Sequence, residues 1–253
     1  MFAEERRSEI ISQLSKDGSV RVASLSRVLG VTQDCIRKDL KILENDGKLK
    51  RTHGGAILST DYPLSRDVID RRQVHVEQKK IIAQKALEMI KDRETIFLDI
   101  STTNIRLAEL IAQSGKKVIV VSSMIDILQV LAASPSVTAI GTGGHMFTTI
   151  NGFMGIETAQ HIREYSFDRA FIGCCGIDTT DGTLTTLGSE DGLTKKAAIG
   201  ASRHVYVVME HEKFYYNECY KFARFDDISG IISDEAPKGD VRTALEDAGV
   251  SIY

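Results

Sequence analysis

The sequence predicts an α/β protein in two parts: a small three-helix unit closed by a β-hairpin, then a larger domain built on a mainly parallel sheet. Three observations predict it. Short helical patterns and a Gly-Gly turn fill the first sixty residues. From Val76 onward, apolar strand-like runs alternate with amphipathic helical ones. The charge also changes sign between the stretches. Residues 1–60 hold 11 Lys/Arg and 8 Asp/Glu, a net +3, while the whole chain of 253 residues is at −3, so the remainder carries −6. Such asymmetry points to different partners for the two parts. The expected division is 1–58, a linker at 59–75, and 76–253.

In "EERRSEIISQLSKDG" the residues Ile10, Ile11 and Leu14 form one apolar stripe, and Gly18 stops the helix. "SVRV" (19–22) reads as a short strand. "ASLSRVLG" places Leu25, Val28 and Leu29 on one helix face, ended by Gly30. A tight turn, "VT", leads into a third helix capped by the Thr32 hydroxyl. There Ile36, Leu40 and Leu43 follow i, i+4, i+7, while Asp34, Lys38, Lys41 and Asn45 point the opposite way and Arg37 lies on the flank. Two helices joined by a short turn, the second exposing cations, make a helix-turn-helix, whose second helix can enter a major groove. Gly47 ends it. "KLKR" and "GAIL" then form two strands around "THGG", a wing that offers Lys48, Lys50, Arg51 and His53 beside the groove. The expected contact surface for double-stranded DNA is Thr32, Gln33, Asp34, Cys35, Arg37, Lys38, Lys41, Lys50, Arg51 and His53. A small helical subdomain with a solvated basic face gives the same charge pattern, and the pattern alone leaves both open.

"LSTDYPLSRDVIDRRQVHVEQKK" has weak periodicity, one proline and mixed charge, and reads as a linker entering a helix near Val76. Its Arg66, Arg71 and Arg72 are expected to be solvated. No apolar run reaches the roughly 18 residues of a membrane helix, and the charged start "MFAEERRSEI" does not read as a signal peptide. Four cysteines (35, 174, 175, 219) form no CxxC pair, and six scattered histidines form no metal motif. A cytoplasmic protein with reduced thiols and no cofactor or metal is expected.

The larger part begins with "VEQKKIIAQKALEMIKD", a helix with Ile81, Ile82, Leu87 and Ile90 as its apolar residues. Strands follow at "TIFLDI", "KVIVVSS", "VTAIGTGG", "DRAFIGCCGI", "HVYVVME" and "ISGIISD", with helices at "RLAELIAQSG", "IDILQVLAAS" and "VRTALEDAGVSIY", the last running into a short strand. This alternation argues for a Rossmann-like, mainly parallel sheet covered by helices. Ligands on such sheets bind at the carboxyl ends of strands, where the polar clusters of this sequence fall.

In "LDISTTNIRLAEL" a strand ends at Asp99 and a helix is expected from about Asn104, with Ser101, Thr102 and Thr103 between them. Helix-start amides and these hydroxyls suit a phosphate. The glycines of a Walker loop or a dinucleotide fingerprint are absent. On the local sequence alone, a Ser/Thr cap without a ligand is the slightly better reading. Other strand ends supply Ser122, Ser123, Gly143, Gly144 and Gly173, and the later loop region supplies Glu190, Lys195 and Lys213. Vicinal Cys174 and Cys175 read as buried thiols.

"IRKDLKILENDGKLKRTHGGA" resembles the signature of the DeoR family of bacterial regulators. Cys35 stands where that family usually has Thr, and Lys38 where it has Arg. "LDISTTN", the glycines at 143–144, "FDRAFIGCCGID" and "EHEKF" resemble the same family's effector domain, with Ser101, Ser123 and Glu210 in place of its usual Gly, Asn and Asp. The resemblance implies a fold similar to ribose-5-phosphate isomerase used as a sensor, Thr102 and Thr103 holding a phosphate, and Lys195 and Lys213 lining the pocket. The expected function is a repressor of a sugar uptake or catabolism operon. It would bind operator DNA as a homo-oligomer, a dimer or tetramer, under control of a phosphorylated sugar. The alternative is a sugar-phosphate isomerase-like enzyme with an added N-terminal module, in which Asp99 or Glu190 works with Lys195.

Overall fold

The computed structural model describes residues 3–17, 19–45, 49–52, 54–58 and 68–253. Gly18, Gly47, Lys48, His53 and Arg66, on which expectations were placed, lie outside the described residues. The chain divides into two compact units, Met1–Arg66 and Asp67–Tyr253.

In the first unit, α1 (Ala3–Asp17), α2 (Val22–Leu29) and α3 (Gln33–Asn45) accompany β1 (Ser19–Arg21), β2 (Leu49–Thr52) and β3 (Gly55–Leu58). Ile10, Leu14, Leu25, Leu29, Ile36, Leu40 and Leu43 are buried together. The α3 stripe thus packs as its period requires. Val28 does not: it is 65% exposed, and Val22 joins the core instead, because α2 starts one residue before "ASLSRVLG" and its buried face runs through Val22, Leu25 and Leu29. Gly30 ends α2 in the left-handed region (φ 65°). β1 is also more than a connector. It pairs antiparallel with β3, making a three-stranded sheet in the order β1-β3-β2. That pairing explains the second glycine of the turn, since a Cβ on Gly55 would stand 2.0 Å from the Val20 carbonyl oxygen.

The second unit opens with α4 (Val68–Arg72), inside the segment expected as linker, and α5 (Val76–Met89). A six-stranded, fully parallel sheet follows: β4 (Thr95–Leu98), β5 (Val118–Ser122), β6 (Val137–Gly141), β9 (Phe167–Gly173), β12 (Ser202–Val208) and β14 (Gly230–Ile232). Each overlaps one of the six runs read as strands, with β9 beginning one residue and β12 two residues before its run. Their spatial order is β14-β12-β9-β4-β5-β6. The chain therefore builds outward from β4 in one direction, then returns to β4's other edge and builds the opposite way. The order reverses between β4 and β9.

Side chains alternate across the sheet with period two. Ile96, Leu98, Val120, Phe171 and Val208 face α5, α6 (Thr102–Ser114) and α7 (Ile125–Leu131). Phe97, Val121, Ala170, Ile172 and Val207 face α8 (Ile156–Arg163), α9 (Ser189–Gly200) and α10 (Gly239–Asp247). A β7–β8 hairpin (His145–Phe147, Gly152–Met154) and a small antiparallel sheet of β10 (Gly176–Asp178), β11 (Thr183–Thr186) and β13 (Tyr220–Arg224) complete the unit. On α5, Ile81 is exposed, and the buried face runs through Lys79, Ile82, Ala83 and Ala86 instead. No helix among the described residues is long and apolar enough to cross a membrane.

Candidate functional site

The outer face of α3 carries Gln33, Asp34, Arg37, Lys38 and Lys41, all exposed, with Thr32 exposed just before it. Thr32 caps the helix: its Oγ1 accepts the Cys35 N–H at 3.3 Å. The Arg37 guanidinium donates to Asp34 Oδ1 at 2.7 Å and to Gln33 Oε1 at 3.3 Å. Exposed pairs of this kind are worth only about 0.2–1 kcal/mol, so the guanidinium is available to a better acceptor. Cys35 is half-buried, and its thiol leans inward to Asp39 Oδ2 at 3.9 Å. Asp39 is itself buried and takes Arg6 Nε at 2.6 Å, which pins α1 behind α3. Glu44 receives the backbone N–H of Arg51 at 2.9 Å, joining the last turn of α3 to β2. Arg51 is exposed, and Lys50 lies beside it in that strand.

In the second unit polar groups converge where the strand order reverses. Asp99 follows β4 and Gly173 ends the adjacent β9. Asp99 Oδ2 accepts the Gly173 N–H at 2.9 Å and a hydrogen bond from Lys195 Nζ. Lys195 comes from α9 and reaches a second carboxylate, Asp191, at 3.1 Å. Asp99 has no solvent exposure and Lys195 has 2%. Burial pushes the Asp99 carboxyl up, to about 6, against the pull of Lys195. Burial also draws the Lys195 amine down, but Asp191 and Asp99 outweigh it and hold it above its ordinary value. The pair is therefore ionic at neutral pH.

The α6 start sits directly behind. Ser101 is its N-cap, its Oγ accepting the Thr103 N–H at 3.1 Å. First-turn amides have no partner within a helix, so those of Thr102 and Asn104 carry the helix's positive end toward the strand ends. Thr102, Thr103 and Asn104 are buried. The Asn104 amide nitrogen cross-braces the two central strands, donating to Asp99 O at 2.9 Å and Phe171 O at 2.8 Å. Four buried polar atoms here have no hydrogen-bond partner among the described residues: Asp99 Oδ1, Asn104 Oδ1, Ser123 Oγ and Thr142 Oγ1. They follow the ends of three neighbouring strands, β4, β5 and β6. Unsatisfied buried groups are uncommon, and four of them mix acceptors with hydroxyls.

Known proteins share both halves. Residues 6–61 match the DeoR-like helix-turn-helix domain, and residues 74–235 match the DeoR C-terminal sensor domain. The chain belongs to the DeoR family. Among its DeoR relatives is a protein of Escherichia coli O157:H7 provisionally named as an aga operon transcriptional repressor. It is 32% identical over 98% of this chain and 92% of its own length. The lactose phosphotransferase system repressor of Lactococcus lactis is 28% identical over 85% of this chain and 84% of its own. The glycerol-3-phosphate regulon repressor of Escherichia coli K12 is 28% identical over 98% and 97%. This DeoR chain is accordingly a DNA-binding regulator of transcription and not an enzyme, which sets aside the isomerase alternative. The solved ribose 5-phosphate isomerase A from Methanocaldococcus jannaschii superposes with a TM-score of 0.40 at 17% identity, over 55% of this chain and 54% of its own. A likeness that slight supports no inference of activity.

Several residues expected in the sensor site stand differently. The α6 helix starts at Thr102, two residues before the expected Asn104, because Ser101 supplies the cap. Glu190 is exposed and bonds Ser189 at 2.9 Å. Asp191, one residue on, is the carboxylate that turns inward to Lys195. Gly143 and Gly144 serve packing: the Gly143 carbonyl accepts from Thr158 Oγ1 at 3.0 Å, and a Cβ on Gly144 would meet that same oxygen at 2.2 Å. The Ser122 hydroxyl is spent on the Leu98 carbonyl at 2.7 Å. Lys213 pairs with Glu210 at 2.7 Å. Cys174 and Cys175 are free thiols, both pushed up by burial, Cys174 to about 12, and neither is a poised thiolate. Sequence reasoning missed Asp191, Asp39, Lys79 and Thr142. Of these only Asp191 left a signal, its i, i+4 spacing to Lys195.

Proposed function

We propose that this regulator represses a sugar uptake or catabolism operon, with α3 in the major groove of operator DNA, and that a phosphorylated sugar at the strand ends controls its grip. One observation carries the ligand reading: buried, unpartnered polar atoms gather past the ends of β4, β5 and β6, beside the α6 N-terminus and next to the reversal of strand order at β4. Open α/β sheets bind ligands at that place. The donors, the Thr102 and Thr103 hydroxyls that the family resemblance assigns to the phosphate, the Ser123 and Thr142 hydroxyls and the α6 amides, suit phosphate oxygens. The acceptors, Asp99 Oδ1 and Asn104 Oδ1, suit sugar hydroxyls. Two relatives are named for a glycerol-3-phosphate regulon and a lactose phosphotransferase system, which fits a phosphorylated carbohydrate as the ligand class.

On the DNA side the reading assigns Arg37, Lys38 and Lys41 to the groove and Lys50 and Arg51 to flanking phosphates. One recognition helix per chain calls for a symmetric dimer, or a tetramer of two such pairs, on paired half-sites.

The test is a thermal-shift screen against phosphorylated sugars. A ligand at 100 times its Kd stabilises by about 2.7 kcal/mol. Thr102→Ala with Thr103→Ala is expected to abolish that shift and leave operator binding intact. A double variant that still responds in full places the phosphate elsewhere.

A further inference from the structure

The segment just past β12 carries charges that the ligand reading leaves unused. Glu210 is buried. Its Oε2 lies 2.7 Å from Lys213 Nζ and its Oε1 3.5 Å from Lys79 Nζ. Lys79 Nζ also donates to the Arg71 carbonyl at 2.6 Å and the Val74 carbonyl at 2.7 Å. Those carbonyls belong to the end of α4 and the turn into α5, where the chain arrives from the DNA-binding unit. A second tie lies beside the first. His75 sits in the left-handed region (φ 52°), with Nδ1 3.0 Å from Glu212 Oε1. The 3-10 turn His211–Tyr215 and Glu210 before it therefore hold residues 71–79 at two points.

The end of the same turn packs on the chain just past β9: the Ile177 N–H donates to the Tyr216 carbonyl at 2.8 Å, four residues after the Gly173 amide that Asp99 accepts. β4, β9 and β12 are parallel, so Asp99 after β4, Gly173 at the end of β9 and Glu210 after β12 all lie at the carboxyl ends of the strands. Burial pushes the Glu210 carboxyl up, but Lys213 and then Lys79 outweigh it and hold it at about 2, while burial draws the Lys79 amine down to about 8. Glu210 and Lys79 are both charged at neutral pH.

We propose that Lys213, Glu210 and Lys79 form a relay that carries occupancy of the strand-end site to the α4–α5 turn, and so to the DNA-binding unit. The proposal rests on the site taking a phosphorylated ligand, and adds that the ligand's anion reaches Lys213. An anion that engages Lys213 takes away the closer of Glu210's two cations. A buried carboxylate left short of partners is costly, so Glu210 closes on Lys79. Lys79 then gives up the Arg71 and Val74 carbonyls. Those two residues are half-buried and their carbonyls can turn to water, whereas Glu210 cannot, and this decides the direction. Ligand binding loosens residues 68–79.

Hydrogen exchange of the full chain, read by mass spectrometry with and without inorganic phosphate, tests it. Phosphate is expected to slow exchange at residues 99–104 and to speed it at 68–79 by at least about fivefold, the low end of a typical coupling. Lys213→Met is expected to speed 68–79 without phosphate. Lys79→Met is expected to keep the slowing at 99–104 and lose any phosphate response at 68–79. Slowing at 99–104 with 68–79 unchanged, or slowed as well, overturns the relay and leaves the ligand site standing. No change at 99–104 overturns the site, and the relay with it. A Lys79→Met chain whose 68–79 segment still responds removes Lys79 from the relay. The wild-type arm decides the matter by itself where a variant does not fold.

Discussion

Lys195→Met tests the buried ion pair at the centre of the sensor unit. Methionine keeps the length and flexibility of the lysine stem, so little cavity is made and the loss is mainly of charge. Asp99, with no exposure, is left with one donor on Oδ2, the Gly173 amide. Removing one partner of a buried pair costs about 3–5 kcal/mol. The cost depends on pH in a set direction. Burial already pushes the Asp99 carboxyl up to about 6 beside Lys195, and without the amine it rises further. A carboxyl raised above its unfolded value, about 3.9, carries no folding penalty below that value and an increasing one as pH rises through the folded value. The variant is therefore least damaged near about pH 5 and most damaged near about pH 8. The chain has no tryptophan, so urea denaturation followed by circular dichroism is the suitable assay. Adding Asp99→Asn is expected to recover most of the loss at the higher pH, since the amide is neutral and its oxygen still accepts from Gly173. A cost below about 1 kcal/mol, equal at both pH values, would refute a buried, charged pair.

Further outcomes follow from the same geometry. Arg37→Ala is expected to weaken binding to a selected operator by about 1–3 kcal/mol and relax its base preference; unchanged anisotropy titrations remove Arg37 from the groove. Gly55→Ala drives a methyl onto the Val20 carbonyl and is expected to destabilise the first unit by about 1–3 kcal/mol. Its signature is loss of operator binding while the sensor unit's melting transition stays in place. His211 lies 2.7 Å from Asp234 Oδ2; that bond, with Glu212 and Glu235 nearby, raises its pKa against a smaller effect of burial. The pair's contribution is full below the ordinary histidine value, about 6.5, and is lost as pH rises through the folded one. Melting temperature is expected to fall across that window in the wild type and not in His211→Gln, and parallel curves for the two would contradict this.

What could be read in the sequence, and what could not, divides along physical lines. The α3 stripe was legible because Ile36, Leu40 and Leu43 repeat at helical spacing. The six sheet strands were legible because they are short apolar runs between polar ends. α9 was not: its buried face is Gly192, Thr194, Lys195, Ala197 and Ala198, small or polar groups with no apolar period. Gly192 breaks the pattern again, because the Tyr220 ring lies 2.2 Å from where its Cβ would stand. β11 was hidden in the same way, being buried threonines flanking one leucine. Val28 and Ile81 misled in the opposite direction, as apolar residues at plausible spacing that the tertiary packing leaves in solvent.

The sequence by itself determined the two-part division, the cationic helix with its wing, and the six strands of the parallel sheet, because propensity, periodicity and turn chemistry act within a few residues. Only the tertiary structure decided which charges meet. Asp99 finds Gly173 and Lys195 across separations of 74 and 96 residues, and Arg6 finds Asp39 across 33. Strand order brings the first set together and helix packing the second, and neither has a local signature. The chemistry of the site therefore lay in residues the sequence displayed and contacts that it did not.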